Sequence, residues 1–244
     1  MKKSDDVERQ VREAIKLFWL TREKQNQKQG SKTGQKDSGL RAAVTGGKHL
    51  DGFTDICRQL FVKAGVPEAH VFWQSRKELP GYFRAEKNWD LIVVADNHLL
   101  AVIEFKAQVG PSFGNNFNNR VEEALGNATD LWAAYREGAF KPSARPWLGY
   151  VFIVEDCEAS NRPVSVSQPH YPVFTEFIGA SYIKRYELFL TKILRERLYD
   201  GASLLLTPRA AGLKGKFTCP SDELSFRNFA AGLSAHAIAY AQTH

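Results

Sequence analysis

Two short apolar runs, Leu91–Ala95 and Leu99–Phe105, lie on either side of the polar triplet Asp96-Asn97-His98. Both are rich in Val, Ile and Leu and flank a polar turn, so they read as a β-hairpin. Three charges break the pattern: Asp90 at the start of the first strand, Glu104 and Lys106 at the end of the second. Core strands do not carry such groups without a reason, because an unpaired buried charge costs several kcal/mol.

Residues i and i+2 of a strand share a face, which puts Glu104 and Lys106 roughly 6–7 Å apart along it. Asp90 joins them only if the hairpin has the right parity. A three-residue loop at Asp96–His98 sets Ala95 opposite Leu99, and hence Asp90 opposite Glu104. A two-residue Asp96-Asn97 loop sends Asp90 to the other face. The three-residue loop is the expectation, and it gathers two carboxylates and an ammonium at one end of a sheet. Hard oxygen ligands on a rigid sheet suit Mg²⁺, which takes one or two carboxylates, several waters and a substrate phosphate. A lysine there can hold an attacking water or neutralise an oxyanion. The competing reading is an exposed Glu–Lys pair with an Asp at a strand start.

The spacing Asp90–x13–Glu104–x–Lys106 resembles the PD-(D/E)XK nuclease motif. The residues after it are more specific. The stretch from Glu104 through Gly110-Pro-Ser-Phe-Gly-Asn-Asn-Phe-Asn-Asn-Arg120 to Trp132 resembles the signature region of the XhoI family of type II restriction endonucleases. Trp89-Asp90 and Leu79-Pro-Gly-Tyr-Phe-Arg84 are similar to that family too. The resemblance is densest from about Leu79 to Trp132, and the similar length implies that it extends over nearly the whole chain.

The resemblance implies an α/β fold with a PD-(D/E)XK restriction-endonuclease-like core, a central mixed β-sheet flanked by helices. It implies metal-assisted hydrolysis of a phosphodiester in double-stranded DNA. Asp90 and Glu104 would bind Mg²⁺, with the Phe105 carbonyl a candidate extra ligand, and Lys106 would position the water. Attack in line would leave a 5′-phosphate and a 3′-hydroxyl. Held in full, the resemblance implies the palindrome 5′-CTCGAG-3′, cut after the first C, a two-fold homodimer with one active site per strand, and a cognate DNA methyltransferase protecting the host site. Many such nucleases take an extra acid from a helix before the motif strands, and Asp55 is the candidate here. A solvated helix face competes with that role.

The remaining segments fit one domain, with residues 1–48 a basic N-terminal helix and arm and 49–244 a nuclease core with C-terminal helices. Residues 1–48 hold 12 Lys/Arg against 6 Asp/Glu, and the remainder holds 21 of each, so the whole net charge of +6 sits in the first fifth. That suits an arm following a phosphate backbone, or simply a charged surface. Val7, Val11, Ala14, Ile15, Phe18 and Trp19 make one helical stripe over residues 5–23, and Lys24–Lys36 reads as a mobile loop. A second helix is expected over 50–64 and a strand over Ala69–Gln74.

Arg76, Lys77, Arg84 and Lys87 alternate with Tyr82, Phe83 and Trp89 around the turn Leu79-Pro80-Gly81. Basic residues interleaved with aromatics suit contact with phosphates and base edges, or a hairpin with surface charges. Asn115, Asn116, Asn118 and Asn119 with Arg120 open a helix expected over Asn116–Glu137, its stripe formed by Phe117, Val121, Leu125, Ala128, Leu131, Trp132 and Tyr135. Four asparagines exceed the need of one N-cap, and Asn is the usual bidentate partner of adenine. Glu122 and Glu123 read as helix-face charges. Later come a buried strand at Leu148–Val154, a long polar loop at Asp156–Pro172, a helix over Phe174–Leu198, a strand at Ala202–Leu206 and a last helix over Glu223–Ala241.

No run approaches the roughly 18 apolar residues of a membrane span, and the N-terminus lacks a signal-peptide core. The three isolated cysteines suggest neither a disulfide framework nor a zinc site but buried thiols in a reducing cytoplasm. Two other readings remain at this point: another PD-(D/E)XK enzyme, such as a repair or structure-selective nuclease, and a DNA-binding module that does not cleave.

Overall fold

The structure, a computed structural model, describes residues 3–33 and 48–243. Helix α1 spans Lys3–Thr33 and α2 Asp51–Lys63. Strands β1 (Val71–Phe72), β2 (Glu78–Pro80), β3 (Glu86–Asn88), β4 (Leu91–Ala95) and β5 (His98–Gln108) come next. Then come α3 (Phe113–Arg136), β6 (Trp147–Glu155), the single turn α4 (Glu158–Asn161), α5 (Tyr182–Arg195), β7 (Gly201–Thr207), the single turn α6 (Arg209–Gly212) and α7 (Phe226–Thr243).

The central sheet runs β1-β4-β5-β6-β7, with β2-β3 a separate two-stranded sheet. Strands β1, β4 and β5 are antiparallel, and β5, β6 and β7 are parallel. The parallel pairs are joined through α3 and α5, since a parallel neighbour needs a crossover rather than a tight turn. Helices cover both faces, so β6 and β7 are buried at every position and read as continuous apolar runs.

Alternation assigns the two faces. Leu91, Val93, Ile103, Phe105, Val151 and Ile153 pack with the stripe of α1, with Phe53 and Phe61 of α2, and with Phe226 and Phe229 of α7. Ile92, Val102, Tyr150, Phe152 and Leu204 pack with α3 and α5. By the same parity Asp90, Glu104 and Lys106 belong to the α3 side.

The hairpin turn differs from expectation. Ala95 pairs with His98, so the loop is the two-residue Asp96-Asn97. Both residues lie in the left-handed region, at φ 50° and 63°, which Asp and Asn tolerate and a tight hairpin turn demands. That loop alone would turn Asp90 away from Glu104. A bulge corrects it: the register shifts between Val93 and Val94, so that Val94 pairs with Leu99 and Val93 with Ala101. Leu100 is the extra residue, and it packs on the same face as Ala101. Leu91 then faces Ile103, and the next pair in register is Asp90 with Glu104. Turn and bulge together give the parity that a three-residue loop would have given.

Other boundaries move for local reasons. α1 continues through residues 24–33, where Lys and Gln are good helix formers; the rest of the expected loop, residues 34–36, lies outside the described residues. The expected strand at 69–74 is a 3₁₀ turn, Glu68–His70, followed by two paired residues. The helix expected from Phe174 begins at Tyr182, because Gly179 adopts φ 66° and Ser181 caps the new start by accepting from the Lys184 N–H. The last helix starts at Phe226 rather than Glu223. Only Cys57 is fully buried; Cys157 and Cys219 are half-buried, and all three are unpaired.

Candidate active site

β4 begins only at Leu91, opposite Ile103, so beyond that pair β5 runs on with β6 on one edge, and the site forms in the gap on its other edge. Asp90 precedes β4 and its carboxylate accepts the Phe105 N–H at 2.8 Å. Glu104, only 2% exposed, accepts from Lys106 at 2.5 Å. Lys87, arriving from β3, stands 3.3 Å from both Glu104 oxygens and 4.2 Å from the centre of the Trp89 ring. On the far side α3 brings Glu123 to 3.5 Å from the Lys106 ammonium, and Arg120 bonds Glu123 at 2.5 Å. Three acids and three bases thus close on one another, which is what buried charges require.

The electrostatics set the protonation states. Burial pushes the Asp90 carboxyl up to about 6; Glu104 adds to the rise, while Lys106, the Phe105 N–H and Lys77 oppose it. Burial alone would pull the Lys106 ammonium down, but Glu104, Asp90 and Glu123 more than offset it, and its pKa ends above the ordinary lysine value. Glu123 falls below its ordinary value because Lys106 and Arg120 outweigh its burial. At neutral pH the lysine is therefore a fixed cation beside two carboxylates.

Asp90 and Glu104 fit a divalent cation such as Mg²⁺. Within a strand, N–H and C=O of one residue point to the same side. The Phe105 N–H meets Asp90, so its carbonyl also faces the gap left by β4. Two carboxylates and a carbonyl leave positions for water and a phosphate oxygen, which Mg²⁺ prefers over a full protein cage. No group of three or more His, Cys, Asp or Glu side chains with metal-binding geometry occurs among the described residues.

The other sequence-derived candidates divide. Lys77 lies close enough to act on Asp90. Arg76 is exposed at φ 57°, its guanidinium 5.3 Å from the Phe72 ring. Arg84 does not stand free: its Nε bonds Asp130 at 2.8 Å and its terminal nitrogen Asn127 at 3.4 Å. Arg120 is likewise occupied by Glu123. Asn115, Asn116, Asn118 and Asn119 fall in the first two turns of α3, which begins at Phe113, three residues earlier than expected. Asn115, Asn118 and Asn119 are exposed and Asn116 is half-buried. Asp55 is not brought to this cluster: on α2 it accepts from Arg58 and Gln59.

Glu123, read from the sequence as a helix-face charge, contacts Lys106, and the buried Asn127 and Asp130 of α3 escape the sequence reading. The buried face runs through Phe117, Ala124, Ala128 and Leu131, while Leu125, expected inside, is 37% exposed. With the stripe rotated by that much, Glu123, Asn127 and Asp130 line its edge at i, i+4 and i+7, a signal legible only once the face is known.

The comparisons with known proteins bear on this geometry. A family model described as restriction endonuclease XhoI matches residues 28–219, which spans every residue of the cluster. The chain is 52% identical over 206 residues to the type II restriction enzyme BstVI of Geobacillus stearothermophilus, covering 82% of this chain and 92% of the relative. It is 41% identical over 207 residues to the type II restriction enzyme XhoI of Xanthomonas vasicola, covering 83% and 82%. It is 48% identical over 168 residues to AbrI of Azospirillum brasilense, a type II restriction enzyme, covering 68% and 74%. No solved structure matches the chain.

Proposed function

The chain belongs to the XhoI restriction endonuclease family, and on that premise we propose that it is a Mg²⁺-dependent type II endonuclease that cuts both strands of a palindrome in double-stranded DNA. The observation that carries the chemistry is the Asp90–Glu104–Lys106 cluster, with Glu104 buried and the other two half-buried, beside the start of β4. Asp90, Glu104 and the Phe105 carbonyl hold the cation. Bound there, Mg²⁺ supplies Lewis-acid charge to the scissile phosphate and a more acidic water.

The side chains do the rest. Lys106 orients the attacking water and offsets charge on the phosphate, while Glu123 and Glu104 hold its ammonium between them. In-line attack leaves a 5′-phosphate and a 3′-hydroxyl. Arg76, Lys77, Lys87 and the asparagines at the start of α3 face the DNA. The target implied by the family resemblance is the palindrome 5′-CTCGAG-3′, cut after the first C. A palindrome calls for a two-fold homodimer, and a methyltransferase of the same specificity guards the host site. Restriction of incoming DNA is work for the cytoplasm, the location proposed here. Among the described residues no helix is long and apolar enough to cross a membrane.

A digest of a sequenced phage genome with purified protein tests the proposal, run with Mg²⁺ and with EDTA. Discrete Mg²⁺-dependent bands whose mapped ends fall in CTCGAG are expected. A smear would point to a structure-selective or nonspecific nuclease, and a salt-sensitive gel shift without cutting to a DNA-binding module.

A further inference from the structure

The β2–β3 hairpin carries a feature that the cleavage chemistry leaves unused. At its tip Tyr82 is 54% exposed and Phe83 70%. The two rings meet edge to face with centroids 4.9 Å apart. Under them the backbone is held firmly: the N–H groups of Tyr82 and Phe83 both donate to one oxygen of Asp130 at 2.8 Å, and Arg84 bonds the other at 2.8 Å. Asp130 is only 3% exposed. Gly81 is required beside it, since a Cβ there would stand 2.5 Å from the Asp130 oxygen. An exposed aromatic pair on a clamped backbone has already met its ordering cost and is organised for a partner.

Position and charge say which partner. Four residues beyond Phe83, Lys87 touches Glu104 in the reaction centre. The chain bends through Tyr82–Ala85 before β3 begins, so the interval spans at most roughly 13 Å, its fully extended length, no more than about four base-pair steps at 3.4 Å each. Arg84 and Lys87 are held by Asp130 and Glu104, and Arg76 and Lys77 of the lead-in balance Glu78 and Glu86; what suits a polyanion is the hairpin's place beside a centre where Lys77, Lys87 and Lys106 stand together. A second copy of the chain fits less well: two rings cover at most about 500 Å², below the roughly 800 Å² per partner of a stable interface.

We propose that Tyr82 and Phe83 form a stacking wedge that enters the DNA duplex beside the cleaved bond and unstacks a base step, with Asp130 and Gly81 fixing the wedge to α3. The proposal rests on the nuclease reading and adds to it a site for the faces of bases. Wedges of this kind open a step and bend the duplex, and the opened bases recover stacking on the rings. Arg84 is part of the clamp and does not read a base.

The test uses the full-length protein with duplexes containing the mapped cleavage site, held uncut in Ca²⁺. 2-Aminopurine replaces each adenine in and beside the site, and permanganate reports unstacked thymines. The wild type is expected to unstack one step on each side of the two-fold axis. Phe83→Ala, at an exposed position that leaves folding intact, is expected to lose that signal and to bind the site about ten- to a hundredfold more weakly. Phe83→Trp keeps both. The proposal is overturned if the wild type cuts DNA yet unstacks no base, or if the Tyr82→Ala, Phe83→Ala double variant binds and unstacks as the wild type does. A wild type that neither binds nor cuts DNA sinks the nuclease reading first, and this proposal with it.

Discussion

The Lys87 ammonium lies 3.3 Å from both carboxylate oxygens of Glu104, although the two residues belong to different sheets. The β2–β3 hairpin is thereby tied to the reaction centre by one ion pair. That pair also occupies the carboxylate a cation would need. Lys87→Met is expected to tighten Tb³⁺ or Ca²⁺ binding by the DNA-free protein about tenfold, the order of effect of a like charge this close. Terbium luminescence excited through the aromatic residues reads it. An unchanged or weaker affinity would place the cation away from Glu104.

Replacing Glu104 or Lys106 by Ala separates chemistry from binding. Each is expected to lower cleavage by about 10³-fold or more, with DNA affinity kept. For Glu104→Ala the affinity should hold or rise, because Lys87 and Lys106 lose their shared partner and turn to the phosphates. Single-turnover cleavage and a gel shift in Ca²⁺ measure the two separately. Normal cutting by Glu104→Ala would remove the site assignment altogether.

How far the sequence foretells this arrangement depends on the range of each interaction. The apolar runs at 91–95 and 99–105 announce strands because both sheet faces are covered, and Glu104 and Lys106 share a face because a strand has period 2. The turn length is ambiguous in sequence, since Asp96 and Asn97 each accept a positive φ, and the bulge at Leu100 has no local signature in a run of Leu, Leu, Ala and Val. The shorter turn and the bulge cancel in parity, which is why the expected convergence of Asp90 on Glu104 survives. Lys87, Glu123 and Asp130 act across distant segments. Their partners depend on how the hairpin and α3 dock on the sheet, which short-range patterns do not encode.

Asp90 couples the site to pH in two ways. Its carboxyl is raised to about 6, chiefly by burial and then by Glu104. Below that pH the free protein holds it neutral, so cation affinity should fall up to about tenfold per unit from pH 6 downward and level off above 7. Stability runs the other way. The folded state binds this proton more tightly than the unfolded chain, whose value is near 3.9. The contribution is therefore intact below about pH 4 and lost as pH rises through 6. Asp90→Asn, which can still accept the Phe105 N–H, should stabilise the protein at pH 8 by on the order of 1–3 kcal/mol and have little effect at pH 4. Urea unfolding at the two pH values reads the difference. A variant no more stable at pH 8 would mean that Asp90 is not strained in the cation-free fold.

Asn118 and Arg120 lie two residues apart on α3, yet the structure gives them different prospects. Arg120 bonds Glu123 at 2.5 Å, and Glu123 in turn contacts Lys106. Asn118 is exposed, and its amide is not hydrogen-bonded to any described residue. An unengaged amide at the start of a helix can meet a base edge in both of its bonds, which discriminates by about 1–3 kcal/mol. Asn118→Ala should therefore weaken binding to the target about ten- to a hundredfold while leaving binding to unrelated DNA unchanged. Arg120→Ala should instead slow cleavage with little change in discrimination, because it releases Glu123 and with it one anchor of Lys106. Competition assays on target and scrambled duplexes, beside single-turnover rates, separate the two. Equal loss on both duplexes for Asn118→Ala would make that asparagine a phosphate contact.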